Sequence, residues 1–146
     1  MLLLLSGLNL FGQVQQGLEH RRELSREKCL NLLKSIAGDW LKDSLSKNDF
    51  RSQFGWDYMD RLDSLRGAKW SEVSAYLGRP DFVRKNRAFI KAPDTQTDST
   101  GRGDFFYILS NLPRTEAMLR QLGTVLLYIK VENNLIVYFS IRQNDG

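Results

Sequence analysis

The chain has 146 residues, 42% of them apolar and 26% charged, and its 21 basic and 17 acidic side chains leave a formal net charge of +4. That length supports one buried core and is too short for two domains of ordinary size. Aromatics at 11% and only three prolines exclude a disordered or fibrous chain, and a lone cysteine excludes a disulfide scaffold and any zinc site needing more than one thiolate.

Residues 2–11 (LLLLSGLNLF) form an uncharged, leucine-rich run ending at the small residue Gly12. The run has the length of a signal-peptide core and falls well short of the roughly 20 residues a bilayer-spanning helix needs. Residues 1–12 therefore read as a truncated signal peptide with a cut before Gln13, and residues 13–146 as a single exported domain, periplasmic or secreted and soluble. No Lys or Arg precedes the run, which a start codon assigned downstream of the true one would explain. The competing reading is a buried N-terminal strand or helix. No cysteine follows the run to carry a lipid. A sequence pI near 9.3 suits weak contact with an anionic membrane surface. No helix-turn-helix, zinc-finger or RNP-type signature accompanies the charge, so nucleic acid is not an expected partner.

Over residues 18–45 the apolar positions Cys29, Leu33, Ile36, Ala37, Trp40, Leu41 and Leu45 recur at three- and four-residue steps, the pattern of an amphipathic helix. Gly38 inside it costs about 1 kcal/mol and marks a place for a kink. Lys47, Asn48 and Asp49 read as a connector. A second helix is predicted over residues 56–65, with Tyr58, Met59, Leu62 and Leu65 on one side and Gly67 as its cap. A third runs from Lys69 or Ser71 to Leu77, stopped by Gly78 and Pro80.

Beyond Pro80 the hydrophobic period shifts from 3.6 to 2. Residues 82–90 are partly extended in character, 105–109 form a strand, and 124–131 and 135–141 form the two strongest strands, joined by a tight turn at Glu132-Asn133-Asn134. Residues 93–103 read as a polar, mobile loop and 112–122 as a short helix or ordered connector. The fold class is α+β: N-terminal helices packed on one face of a three-stranded antiparallel sheet, with the other face left available for binding.

Candidate chemistry is sparse. His20, the single histidine, lies beside Glu19 and Glu23 and reads as a solvated helix residue; Cys29 reads as a small buried hydrophobe. Asp57, Asp60 and Asp63 fall on one flank of the second helix, where Arg61 and Arg66 offset their charge. Asp94, Asp98 and Asp104 fail the register of a calcium loop, since Gln96, Ser99 and Phe105 occupy required positions. Arg102-Gly103-Asp104 spells an adhesion tripeptide, a match common by chance. Arg79, Arg84, Lys85, Arg87 and Lys91, interleaved with Tyr76, Phe82 and Phe89, either meet an acidic partner or protect an edge strand from aggregation.

Residues 65–82 (LRGAKWSEVSAYLGRPDF) resemble the helix-turn signature of the small bacterial outer-membrane-assembly lipoproteins, the SmpA/OmlA or BamE-type family, whose pattern G-x-s-x-x-e-V-x-x-l-L-G-x-P precedes antiparallel strands. Gly67, Val73, Leu77, Gly78 and Pro80 carry the match. Phe105-Phe106-Tyr107 looks like that family's aromatic middle strand and residues 126–141 like its closing hairpin. The resemblance implies an ααβββ, BamE-like core over about residues 54–146 and a cell-envelope protein partner. No nucleophile, base or metal set is assembled along the chain, so neither catalysis nor a cofactor or metal is expected, and the expected partner-binding residues are Gly78, Arg79, Pro80 and Asp81 of the turn with Arg84 and Arg87 of the basic group. The missing lipid-attachment cysteine and the long first helix point to the wider superfamily rather than to the assembly factor itself. The function expected is a non-enzymatic scaffold or assembly protein; the alternatives are a soluble enzyme-inhibitor-type module and a small carboxylate-dependent enzyme.

Overall fold

A computed structural model describes residues 3–43, 50–54, 63–92, 94–109 and 124–144. Helix α1 (Leu3–Lys42) comes first and α2 (Trp70–Leu77) second, followed by β1 (Phe82–Lys85), β2 (Ala88–Lys91), β3 (Gly103–Ile108), β4 (Thr124–Glu132) and β5 (Leu135–Asn144). Residues 50–54 are also helical, and Asp63–Leu65 make one 3₁₀ turn. The strands form a single antiparallel sheet in the order β2-β1-β3-β4-β5. The class is α+β: a long N-terminal helix, then a five-stranded sheet.

Three expectations change. The first helix begins at Leu3 rather than residue 18 and runs 40 residues, about 60 Å at 1.5 Å per residue. Leucine is a strong helix former, and nothing in the uncharged run interrupts the backbone hydrogen bonds started from the amphipathic part. The helix crosses Gly38 without a break, held on either side by the buried Leu33 and Trp40. Along its described side chains, Cys29, Leu33 and Trp40 are buried, whereas every residue from Gly12 to Glu23 is exposed.

The sheet has five strands where three were expected. Residues 82–91 fold back on themselves at Asn86 and Arg87, whose φ angles of 50° and 66° make a two-residue turn between β1 and β2. Asn tolerates that conformation, but Arg there costs roughly 1–2 kcal/mol relative to an ordinary φ, so the residue types concealed the hairpin. The β4–β5 turn uses Asn133 and Asn134 at φ 51° and 60°, as the asparagines suggested.

The third change concerns the loop of residues 94–102, which is anchored rather than mobile. Trp70 donates its indole N–H to the Thr95 carbonyl at 2.7 Å, Thr97 donates to the Asn134 side chain at 2.9 Å, and the Asn134 N–H reaches the Gly101 carbonyl at 2.9 Å. Asp98 accepts from the Thr100 hydroxyl and from the N–H groups of Thr100 and Arg102. The predicted second helix over 56–65 lies mainly outside the described residues, as do the connectors at 47–49 and 112–122 and the side chains of Asp57, Asp60 and Asp63.

One core fills the space between helices and sheet. Leu33, Trp40, Trp70, Val73 and Leu77 meet Phe105, Tyr107, Leu127, Ile129 and Phe139. Trp70 stacks on Phe105 at 4.3 Å, and Trp40 stands edge-on to Tyr107 at 5.8 Å and to Phe54 at 5.5 Å. The opposite sheet face is not left bare. Phe106, Ile108, Leu126 and Tyr128 form a second buried cluster there, flanked by Phe82 and Tyr138, because β3 is apolar at successive positions and so has apolar side chains for both faces.

Candidate functional site

The turn after α2 is built into the interior. Gly78 adopts φ 68°, which favours glycine, and a side chain there would collide with Leu41 of α1. Its carbonyl accepts from the Tyr107 hydroxyl at 2.8 Å, and the preceding Leu77 carbonyl accepts from the Trp40 indole at 3.0 Å. Pro80 is buried. Arg79 is exposed but donates its Nε to the Ala92 carbonyl.

Asp81 closes this turn and belongs to a buried ionic group. Its Oδ2 takes the Ile108 N–H at 2.7 Å and the Arg51 guanidinium at 3.2 Å, with the two side chains only 3% (Arg51) and 10% (Asp81) exposed. Arg51 also donates Nε to the Trp40 carbonyl at 3.2 Å, lies 4.5 Å above the Trp40 ring, and gives its backbone N–H to Asp43, itself buried, at 2.9 Å. Burial pulls the Arg51 guanidinium down from its ordinary value, opposed by the charges of Asp81 and Asp43. Burial also pushes the Tyr107 phenol well above its usual range. This group clamps the end of α1 and residues 50–54 to the start of the sheet.

The sheet face turned away from α1 carries a different constellation. Successive strands place Phe89 of β2, Phe106 of β3, Tyr128 of β4 and Tyr138 of β5 side by side, with ring centres 4.8, 4.8 and 5.6 Å apart along the row. The strand register accounts for it: Arg84 faces Phe89, Phe106 faces Tyr128, and Tyr138, opposite Lys130 two residues along β4 from Tyr128, falls on the same face. Arginines lie over these rings. Arg84 is 5.0 Å from the Phe89 ring centre and 5.7 Å from Phe106; Arg142 is 4.3 Å from Tyr128 and 5.5 Å from Tyr138; Arg66 is 5.7 Å from Tyr138. All three arginines are exposed, as is Phe89. Tyr128 donates its hydroxyl to Asp104, and burial, then that hydrogen bond, raise its phenol above the ordinary range.

Beside this face, an open cleft of about 480 Å³ lies between β1 and the 94–102 loop, with Lys85, Arg102, Asp94 and Asp98 among its lining residues. Hydrogen bonds, first from the Thr100 hydroxyl, hold the Asp98 carboxyl below its usual value.

Of the residues expected to bind a partner, Arg84 and Arg87 are exposed on the β1–β2 hairpin, whereas Gly78, Pro80 and Asp81 direct their contacts inward. His20, Glu19 and Glu23 are exposed on α1. Cys29 is 4% exposed, and burial raises its thiol to about 11. Gly103 and Asp104 of the adhesion tripeptide lie in β3, with Asp104 bonded to Tyr128. Among the described residues no three His, Cys, Asp or Glu side chains gather where a metal ion could sit. Likewise, no helix among them is long and apolar enough to cross a membrane. Sequence reasoning passed over Arg51, Arg142 and Tyr138. Alternation along residues 135–142 places Tyr138 and Arg142 on one face and could have revealed that pair; nothing local distinguishes Arg51.

No protein-family model, curated protein or solved structure matches the chain.

Proposed function

We propose that this chain is an exported, non-enzymatic binding or scaffold protein of the cell envelope, which holds a protein partner against the arginine-covered aromatic face of its sheet. One observation carries the reading: four aromatic rings from four strands lie in a row beneath three exposed guanidinium groups. Phe89 and the guanidinium groups present the contact surface over Phe106 and Tyr128, which are buried beneath them, and Arg is a residue type that concentrates binding energy in protein interfaces because its guanidinium offers planar, directional donors. Rings already packed against one another and arginines already resting on them lose little freedom on binding. The inward-bonded turn from Gly78 to Asp81 serves this arrangement by fixing where β1, with Arg84, begins.

The envelope location rests on the uncharged run of residues 2–11 and on the resemblance of residues 65–82 to the SmpA/OmlA, BamE-type signature; the same resemblance favours an ααβββ-related core. The test is a crosslinked pull-down from native-host envelope with the full chain, read by mass spectrometry against a variant carrying Arg66→Ala, Arg84→Ala and Arg142→Ala. The expected result is enrichment of an envelope assembly component that falls at least tenfold with the variant while its circular dichroism is unchanged. Equal capture by both forms overturns the proposal, and recovery of a soluble enzyme favours an inhibitor-type module in its place.

A further inference from the structure

Strand β2 is the end of the sheet among the described residues: it pairs with β1 alone, and all four of its residues are exposed. The two-residue turn makes Lys85 and Ala88 the hydrogen-bonded closing pair, and antiparallel pairing then alternates. Ala88 and Ile90 therefore bond to β1, while the N–H and C=O groups of Phe89 and Lys91 are directed outward along the free edge. On the two faces of that edge stand Phe89, 44% exposed, and Ile90, 39% exposed.

Charge distinguishes this edge from the rest of the molecule. Between Phe82 and Lys91 lie Arg84, Lys85, Arg87 and Lys91 and no acidic residue, and these four cations equal the chain's entire net charge of +4. The acids beside it already hold partners: Asp81 pairs with Arg51, and of the acids lining the adjoining cleft Asp94 accepts from the Gln96 N–H, Asp98 from its own loop and Asp104 from Tyr128. Arg87 is moreover kept at φ 66°, a conformation that glycine would adopt without strain. Charges alone can protect an edge from unwanted pairing. Protection does not explain two exposed apolar side chains, or a cation retained at the hairpin tip against its backbone preference.

We infer that β2 is a strand-addition site for an extended, acidic segment of the protein partner, pairing with the outward groups of Phe89 and Lys91 and neutralising the four cations of the hairpin. The inference rests on the protein-binding reading above and names the partner's chemistry and its mode of docking.

The probe is a capped nine-residue peptide of alternating Val and Glu, offered to the full chain alongside the same peptide with alternate amides N-methylated and a third with Lys for Glu. Binding of the first should slow amide hydrogen exchange at Phe89 and Lys91 at least tenfold. N-methylation, or Lys in place of Glu, should weaken binding at least tenfold, and Phe89→Pro, which removes an outward donor together with the outermost ring of the row, should abolish the protection at Lys91. Failure of the Glu peptide to bind overturns the inference, as does undiminished binding of the N-methylated form or protection at β5 instead of β2. Arg142 lies on β5, at the opposite edge of the sheet, so Arg142→Ala separates the two claims. If Arg142→Ala loses the envelope partner while the peptide never binds, the sheet-face proposal stands and strand addition fails.

Discussion

Replacing Arg51 with methionine keeps most of the side-chain volume and removes the charge. The guanidinium loses its 3.2 Å contact to Asp81, its 3.2 Å bond to the Trp40 carbonyl and its place 4.5 Å above the Trp40 ring. Asp81 and Asp43 then remain in a site where Arg51 and Asp43 are only 3% and 1% exposed, with the compensating cation gone. Breaking a buried pair by removing one partner costs about 3–5 kcal/mol, mostly because the remaining charge is uncompensated. A domain of this size loses roughly 2–4 °C of Tm per kcal/mol, so Arg51→Met should lower Tm by about 6–20 °C. Asp81→Asn keeps an acceptor for the Ile108 N–H and removes a negative charge. The double variant should therefore be more stable than the sum of its parts predicts, by at least about 1.5 kcal/mol in urea titrations. A loss under about 1 kcal/mol for Arg51→Met, with additive behaviour in the double variant, would refute the clamp.

Gly38→Ala, exposed and with open space around it, should stabilise the chain by about 0.5–1 kcal/mol, seen as a raised urea midpoint with an unchanged slope. The Cys29 thiol, raised to about 11 from 9.0, favours the native state fully below pH 9, and that contribution is lost as the pH climbs through 11. At pH 8 its thiolate population is about 100-fold smaller than in the unfolded chain, so iodoacetamide should label the native protein at least that much more slowly; equal rates would count against its burial. Asp98, with its carboxyl lowered, contributes its loop bonds above its ordinary value of 3.8 and loses them only as pH falls through a lower one. The Thr100 and Arg102 amide resonances should titrate with a midpoint below 3.8, and a midpoint at or above it would contradict the loop geometry.

The elements that could be read from the residues are those in which local preference and tertiary packing agree. Trp70, Val73 and Leu77 share a helical face, Gly78 and Pro80 end that helix, and the asparagine pair at 133–134 fits a positive-φ turn. The β1–β2 hairpin was obscured because Arg87 occupies a turn position that its side chain disfavours, so two short strands looked like one irregular segment. The anchoring of the 94–102 loop was hidden for another reason: its partners, Trp70 and Asn134, lie 25 and 37 residues from the loop residues they bond. The arginine-aromatic row is a property of register across four strands. Each strand supplies one ring, and no stretch of sequence shows the row. Arg51 belongs to the same category, since its meaning depends on Asp81 thirty residues away.

The most direct test of the sheet-face account is photo-crosslinking in the native host, with benzoylphenylalanine placed at Phe89, on the exposed rim of the aromatic row, and separately at Lys34, on the exposed side of α1. The account predicts a discrete crosslinked protein from position 89, absent from position 34 and lost when Arg84→Ala and Arg142→Ala are added to a chain that still folds. The same crosslinks from both positions, or none from position 89 in a stably folded chain, would contradict it.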